Sequence, residues 1–200
     1  MKKIGFTLAE VLITLVIIGV IAAMTVPTLM NNTQGQENKT AFKKAISAMN
    51  QALTAEHSLE GNTSSSLSLA KIMKKRTNVI TTVEAWPGGD LPGSAQSADS
   101  QVGIFATADG FIYNIPDGTG NECLGEPAPN QTDFKIYEAD NCGVGAVDVN
   151  GIKGPNKHVT SSNKPEDQFT FTIFATKVIP GEAPDSVEAA IMYDQKGIIQ

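Results

Sequence analysis

One carboxylate, Glu10, stands near the start of an apolar run that opens at Phe6 and extends to about Val26. No basic residue occurs between Phe6 and Met30. An ionised carboxylate in hydrocarbon is costly unless a cation or donor meets it, so this placement asks for a partner. A second set, Asp148, Asn150 and Asp167, supplies hard oxygens that could hold a calcium ion. The ordered ligand positions and closing Glu of an EF-hand are missing, and Asx-turn chemistry accounts for the same residues. The expectation there is turns, with no cofactor, and calcium is the alternative. Cys123 and Cys142 have 18 residues between them and make neither a CxxC nor a Cys/His metal spacing. Outside the cytoplasm a disulfide is the default, worth about 3 kcal/mol on the chain-entropy model. Two separate thiols are the alternative.

Other chemistries find little support. The chain has 2 His, and no Gly-x-Ser-x-Gly, His-Glu-x-x-His, phosphate loop or dinucleotide fingerprint. No enzymatic activity is expected. A net charge of −6 argues against a general phosphate-binding surface. The one basic cluster, Lys71, Lys74, Lys75 and Arg76, has no interleaved aromatics and reads as a solvated helix face, so no nucleic-acid partner is expected. His57 reads as a surface or capping residue, and Trp86, the single tryptophan, as packing.

The position of Glu10 depends on the segment that carries it. Lys2 and Lys3 before an apolar stretch could be a secretory signal peptide, but Ala22-Ala23-Met24-Thr25-Val26-Pro27 gives no convincing small-x-small cleavage site. Leu8 to Met30 as a helix is about 35 Å long, enough to cross a ~30 Å hydrocarbon core with some tilt. The two lysines then hold the amino terminus in the cytoplasm, with the rest outside. An ordinary anchor of this kind leaves Glu10 unexplained.

The string Lys2-Lys3-Ile4-Gly5-Phe6-Thr7-Leu8-Ala9-Glu10-Val11-Leu12 and its apolar continuation closely resemble the class III signal of type IV pilins and type II secretion pseudopilins. The resemblance covers about 25 to 30 residues and speaks only for the anchor. It implies that a prepilin peptidase cuts between Gly5 and Phe6, that Phe6 is then N-methylated, and that the apolar helix is kept. Glu10 would be the acid that registers each subunit against the amine of its neighbour. It also implies an inner-membrane assembly platform, membrane lipid and other pilin or pseudopilin subunits as partners. The chemistry is coherent by itself. The cut creates an amine on Phe6 one helical turn from Glu10, and pairing offsets the desolvation each charge would bear alone. Gly19 and Pro27 would loosen the helix as it leaves the bilayer. Pro27 at the lipid–water boundary is the equal alternative.

Further along, Phe42, Ile46, Met49 and Leu53 recur at spacings of 4, 3 and 4, the apolar face of an amphipathic helix. If Gly35 only bends the chain, this helix continues the first as one spine. Leu67 to Arg76 predicts a short second helix, and residues 86–100 a loop. Asp109-Gly110 between two β-favouring runs predicts a hairpin. Further strands are expected at Phe134–Ala139, Ala146–Val149 and Ala189–Tyr193. Phe169 to Phe174, alternating with Thr170 and Thr172, reads as a half-buried strand. The loop from Val147 to Asn156, with Asp167 and Phe169 after it, resembles a head-domain segment of bacterial pilin-like proteins.

The expected fold class is α+β: a long N-terminal spine helix, half membrane and half amphipathic, carrying a globular head with an antiparallel sheet. The expected divisions are 1–5 leader, 6–30 transmembrane and assembly helix, 31–57 amphipathic continuation, and 58–200 head. The expected function is a structural subunit of a type IV pilus or type II secretion pseudopilus, resident in the bacterial cytoplasmic membrane before assembly. The alternative is a membrane-anchored extracytoplasmic binding domain or enzyme that never polymerises.

Overall fold

In the computed structural model, the described residues are 5–60, 69–93, 95, 103–116, 143–160, 166–174, 177–183 and 186–193. A single helix, α1 (Leu8–Glu60, 53 residues), dominates them. At 1.5 Å per residue it is about 80 Å long. Gly35 and Pro27 both lie inside it, and the helix runs unbroken past each. The two expected helices are therefore one spine.

The carboxy-terminal half of α1 buries the face its spacing predicts: Phe42, Ala45, Ile46, Met49, Ala52 and Leu53 are all in the core. α2 (Leu69–Arg76) packs Leu69, Ala70, Ile72 and Met73 into the same core. Six strands come after it: β1 (Val79–Thr82), β2 (Ile104–Thr107), β3 (Ile112–Asn114), β4 (Gly143–Asp148), β5 (Gln168–Ile173) and β6 (Val178–Pro180). They form one sheet in sequence order with every neighbouring pair antiparallel. The architecture is α+β, a long apolar helix followed by an antiparallel head.

The β2–β3 hairpin turns at Asp109-Gly110, as the sequence predicts. Gly110 sits at φ 88°, a conformation that glycine adopts without steric cost. The Thr107 hydroxyl, held by Asp109 and the Phe111 carbonyl, locks the turn. Next to the edge strand β6, β5 contributes Phe169, Phe171 and Ile173 to the core that α1 shares. Phe42 and Phe169 stack with ring centroids 4.5 Å apart. Gly145 on β4 is required by close approach: a Cβ there would lie 2.6 Å from the Phe171 ring.

Three expectations need correction or addition. Ala189–Tyr193 is not a strand but most of a helix, α3 (Val187–Tyr193), capped by Ser186, whose Oγ accepts the Ala189 N–H at 3.1 Å. β5 is buried on both faces, not half-buried. Its threonine face is covered, and the cover supplies acceptors: Thr170 donates to Glu188 of α3, and Thr172 donates to the Gly181 carbonyl. β1 and β6 are short strands that the sequence pattern did not announce. The expected strand at 134–139 lies outside the described residues.

Candidate functional site

The first turn of α1 is built around Glu10. Thr7 is its N-cap, and Glu10 stands three residues on. The Thr7 N–H and hydroxyl both donate to Glu10 Oε2 at 2.8 Å, and the Glu10 N–H donates back to Thr7 Oγ1 at 3.3 Å. This reciprocal arrangement is a capping box. It satisfies two of the orphan donors at the helix start and gives the carboxylate local donors. Sequence reasoning missed it, although the Thr-x-x-Glu signature was present.

Around this turn the apolar side chains all point away from the protein. Phe6 is 89% exposed and Leu8 78%, and Leu12, Ile13, Val16, Ile18, Ile21, Met24 and Leu29 are each more than half exposed. Leu8–Glu56 is long and apolar enough to cross a membrane, and none of its most apolar window is buried inside the protein. An apolar surface this continuous marks a lipid or protein contact. Three hydroxyls along the helix are satisfied by its own carbonyls. Thr14, Thr25 and Thr33 donate to the carbonyls of Val11, Ile21 and Leu29 at 2.9, 3.0 and 2.9 Å. A Cβ on Gly19 would meet nothing, so Gly19 is a notch in the exposed face and not a packing requirement of this chain. Pro27 lacks the N–H that would bond the Ala23 carbonyl. Gly5 is exposed.

In the head, Asp148 and Asp167 are fully buried and serve the loop between them. Asp148 accepts the Asn150 N–H (3.2 Å) and the Gln168 amide (3.1 Å). Asp167 accepts the N–H groups of Asn156 (2.9 Å) and Lys157 (2.8 Å). Asn150 donates its side-chain amide to the Gly154 carbonyl at 3.3 Å. The Asp148–Asn150 contact has the spacing of an Asx turn, whereas Asp167 reaches back across the loop to Asn156 and Lys157. Burial, reinforced by the Asp167 charge, pushes the Asp148 carboxyl up to about 7 against its hydrogen bonds. Cys123 and Cys142 lie outside the described residues.

The basic cluster closes the spine against α2. Glu56, 1% exposed, pairs with Lys75 (3.0 Å) and Arg76 (2.6 Å), and Lys74 lies over the Phe105 ring at 5.5 Å. Trp86 packs with Ile112 and Ala146 on the other face of the sheet. A buried pair that no sequence spacing announces ties α3 to β5. Glu188 Oε1 accepts from the Thr170 N–H (3.0 Å) and hydroxyl (2.8 Å), and contacts His158 Nε2 at 3.0 Å. Burial opposes ionisation of Glu188, but these hydrogen bonds outweigh it and hold the carboxyl below its ordinary range. Thr170 and His158 both address the carboxylate, so the hydroxyl is not aligned with a base.

The site defines a class: a helix whose first half is bare and apolar, with a capped acid at its start, and whose second half carries a head. In agreement, residues 1–26 match the family model of the prokaryotic N-terminal methylation motif. The chain thus carries the prepilin-type signature of type IV pilins and pseudopilins. No curated protein and no solved structure matches the chain.

Proposed function

We propose that this chain is a pilin-like or pseudopilin structural subunit that polymerises through α1. Prepilin peptidase hydrolyses the Gly5–Phe6 bond, which leaves a carboxylate on Gly5 and a free amine on Phe6, and Phe6 is then N-methylated. Residues 1–5 are the leader, 6–30 the membrane and assembly helix, 31–57 its amphipathic continuation and 58–200 the head. The mature chain waits in the cytoplasmic membrane with its head outside, then enters a type IV pilus or type II secretion pseudopilus through an inner-membrane platform. The observation that carries this reading is the methylation motif on a helix whose apolar half is wholly exposed.

The capping box fits this order of events. Before the cut, Thr7 supplies the donors that Glu10 needs. After it, the amine of Phe6 is a cation one turn away, in its own chain or in a neighbour. In hydrocarbon the pairing of such charges discourages every alignment that leaves one of them alone. Apolar contact between spines has no such register, so the acid selects the stagger and the apolar faces supply the area. Gly19 and Pro27 serve as points where the helix yields on leaving the bilayer.

Replacing Glu10 by Ala tests the reading. The variant should be processed and inserted normally but fail to form filaments visible by electron microscopy or shear release. Normal filaments from Glu10→Ala would refute the pairing. A head that keeps a full binding or catalytic activity without residues 1–34, in a chain that never polymerises, would favour a simple membrane-anchored domain.

A further inference from the structure

The head has two ends along α1, and they differ in chemistry. At one end stand the Asp109-Gly110 turn, the end of β4 and the start of β5, where Ile112 pairs with Asp148 and Asp148 with Gln168. α1 meets this end at Asn38, which donates to the Glu166 carbonyl (3.0 Å), and at Lys44, which pairs with Asp109 (2.9 Å). It meets the other end later, where Asn50 exchanges two 2.9 Å hydrogen bonds with the Val178 main chain. The first end therefore faces the bare apolar half of the helix.

The loop 149–157 projects from that end. It is held at both ends by the buried carboxylates of Asp148 and Asp167. Gly151 packs so closely on the hairpin turn that a Cβ would lie 2.8 Å from the Gly110 carbonyl. At the tip, Ile152 is 81% exposed, the barest large apolar side chain of the head among the described residues. Lys153 next to it, and Lys157 where the loop rejoins Asp167, are exposed as well. A single exposed aliphatic is ordinary on a protein surface, but this one stands on a loop fixed at both ends, is followed by a lysine, and is set at the end nearest the membrane segment. Lys39, Lys43 and Lys44 of α1 stand at the same end, against Glu37, Asp90, the already paired Asp109 and the buried Asp148, Glu166 and Asp167. The acids paired or buried at this end leave Lys153 and Lys157 as the exposed cations of the loop itself.

We propose that loop 149–157 is a foot by which the head rests on the outer leaflet before assembly, with Ile152 among the headgroups and Lys153 and Lys157 on anionic phospholipid. The proposal rests on the reading that residues 6–30 span the bilayer. From Met30 to Asn38 the helix rises about 12 Å, and the headgroup layer extends roughly 5–7 Å beyond the hydrocarbon. A helix tilt of about 20° lowers one edge of the head toward the bilayer. The tether keeps the foot at the surface, so weak contacts suffice. Each lysine shifts the balance toward anionic lipid by about fivefold. Docking would set the tilt of the waiting subunit, and extraction into a filament would release it.

The test uses the full chain in phosphatidylcholine vesicles with bromine-labelled acyl chains, with and without phosphatidylglycerol. Ile152→Trp reports the foot and Val16→Trp the anchor, each read against the unsubstituted chain with its buried Trp86. The expected result is quenching of Val16→Trp in both vesicles and of Ile152→Trp chiefly in those with phosphatidylglycerol. Adding Lys153→Glu and Lys157→Glu should return Ile152→Trp to its level in pure phosphatidylcholine. Quenching of Val16→Trp without any response at 152 overturns the foot and leaves the anchor standing. No quenching at either position overturns both. Shielding at 152 that tracks protein density and ignores lipid makes a second copy of the chain the occupant and overturns the membrane contact.

Discussion

The two halves of α1 share one backbone and differ in everything that touches it. From Asn38 to Glu56 the helix is held by the head: Phe42 stacks on Phe169, Asn50 bonds the β6 main chain, and Glu56 clamps α2. From Leu8 to Met30 its large apolar side chains stand exposed, with no packing against the head among the described residues. A short helix without packing is marginal in water. The second half thus owes its stability to its own fold, whereas the first has no such support among the described residues. Fold and function divide between the halves, and substitutions should divide the same way.

The largest effect is expected in the packed half. Phe42→Ala should destabilise the head by about 3–5 kcal/mol, because it removes a fully buried ring from the face that meets β5. Thermal unfolding of the full chain in detergent should show the loss, while membrane insertion remains. Loss of insertion as well would break the division. Glu56→Ala comes next, at about 2–3 kcal/mol, because it strips Lys75 and Arg76 of a buried partner.

A pH effect also belongs to the head. The Asp148 carboxyl is raised to about 7 in the fold, whereas in the unfolded chain it titrates near 4. Between those values the folded state holds the extra proton, so this group's contribution falls as pH rises from about 4 to about 7 and is level above. Asp148→Asn should flatten that slope in melting temperature measured across the window. Glu188, held low, acts oppositely: its contribution is present above the ordinary carboxylate range and is lost on acidification.

The smallest effect on folding is expected at the bare end. Thr7→Ala removes the N-cap and should cost about 1 kcal/mol of helix-end stability. Amide exchange in micelles should quicken in the first turn of α1 and stay unchanged from Phe42 onward. If the head melts with it, the halves are coupled more tightly than their contacts indicate.

The sequence disclosed most where one periodicity acted alone. The 4-3-4 spacing from Phe42 marks a single buried face, and Asp109-Gly110 marks a turn that few other pairs would make. It misled where two layers met. Thr170 and Thr172 look like a solvent face, but α3 and the chain at Gly181 cover them and accept their hydrogen bonds. Ala189 to Tyr193 is a short apolar run that periodicity cannot assign. Its cap, Ser186, was the local signal for a helix. The Glu188–His158 contact joins residues 30 apart and has no signature. At the amino terminus the methylation motif over residues 1–26 was legible by register, whereas the capping role of Thr7 was legible in principle and overlooked. The roles of Gly5, Phe6 and Glu10 belong to events beyond a single folded chain, so neither periodicity nor packing speaks to them directly.

If Gly5, Phe6 and Glu10 form one device, the cut makes the charge that the carboxylate meets. Mass spectrometry of the amino-terminal peptide, from cells that contain a prepilin peptidase, is the decisive test. The predicted result is a chain that begins at Phe6 and carries a methyl group on its α-amine, with Gly5→Ala retaining residues 1–5. A chain that keeps residues 1–5, or is cut beyond the apolar helix, would contradict it.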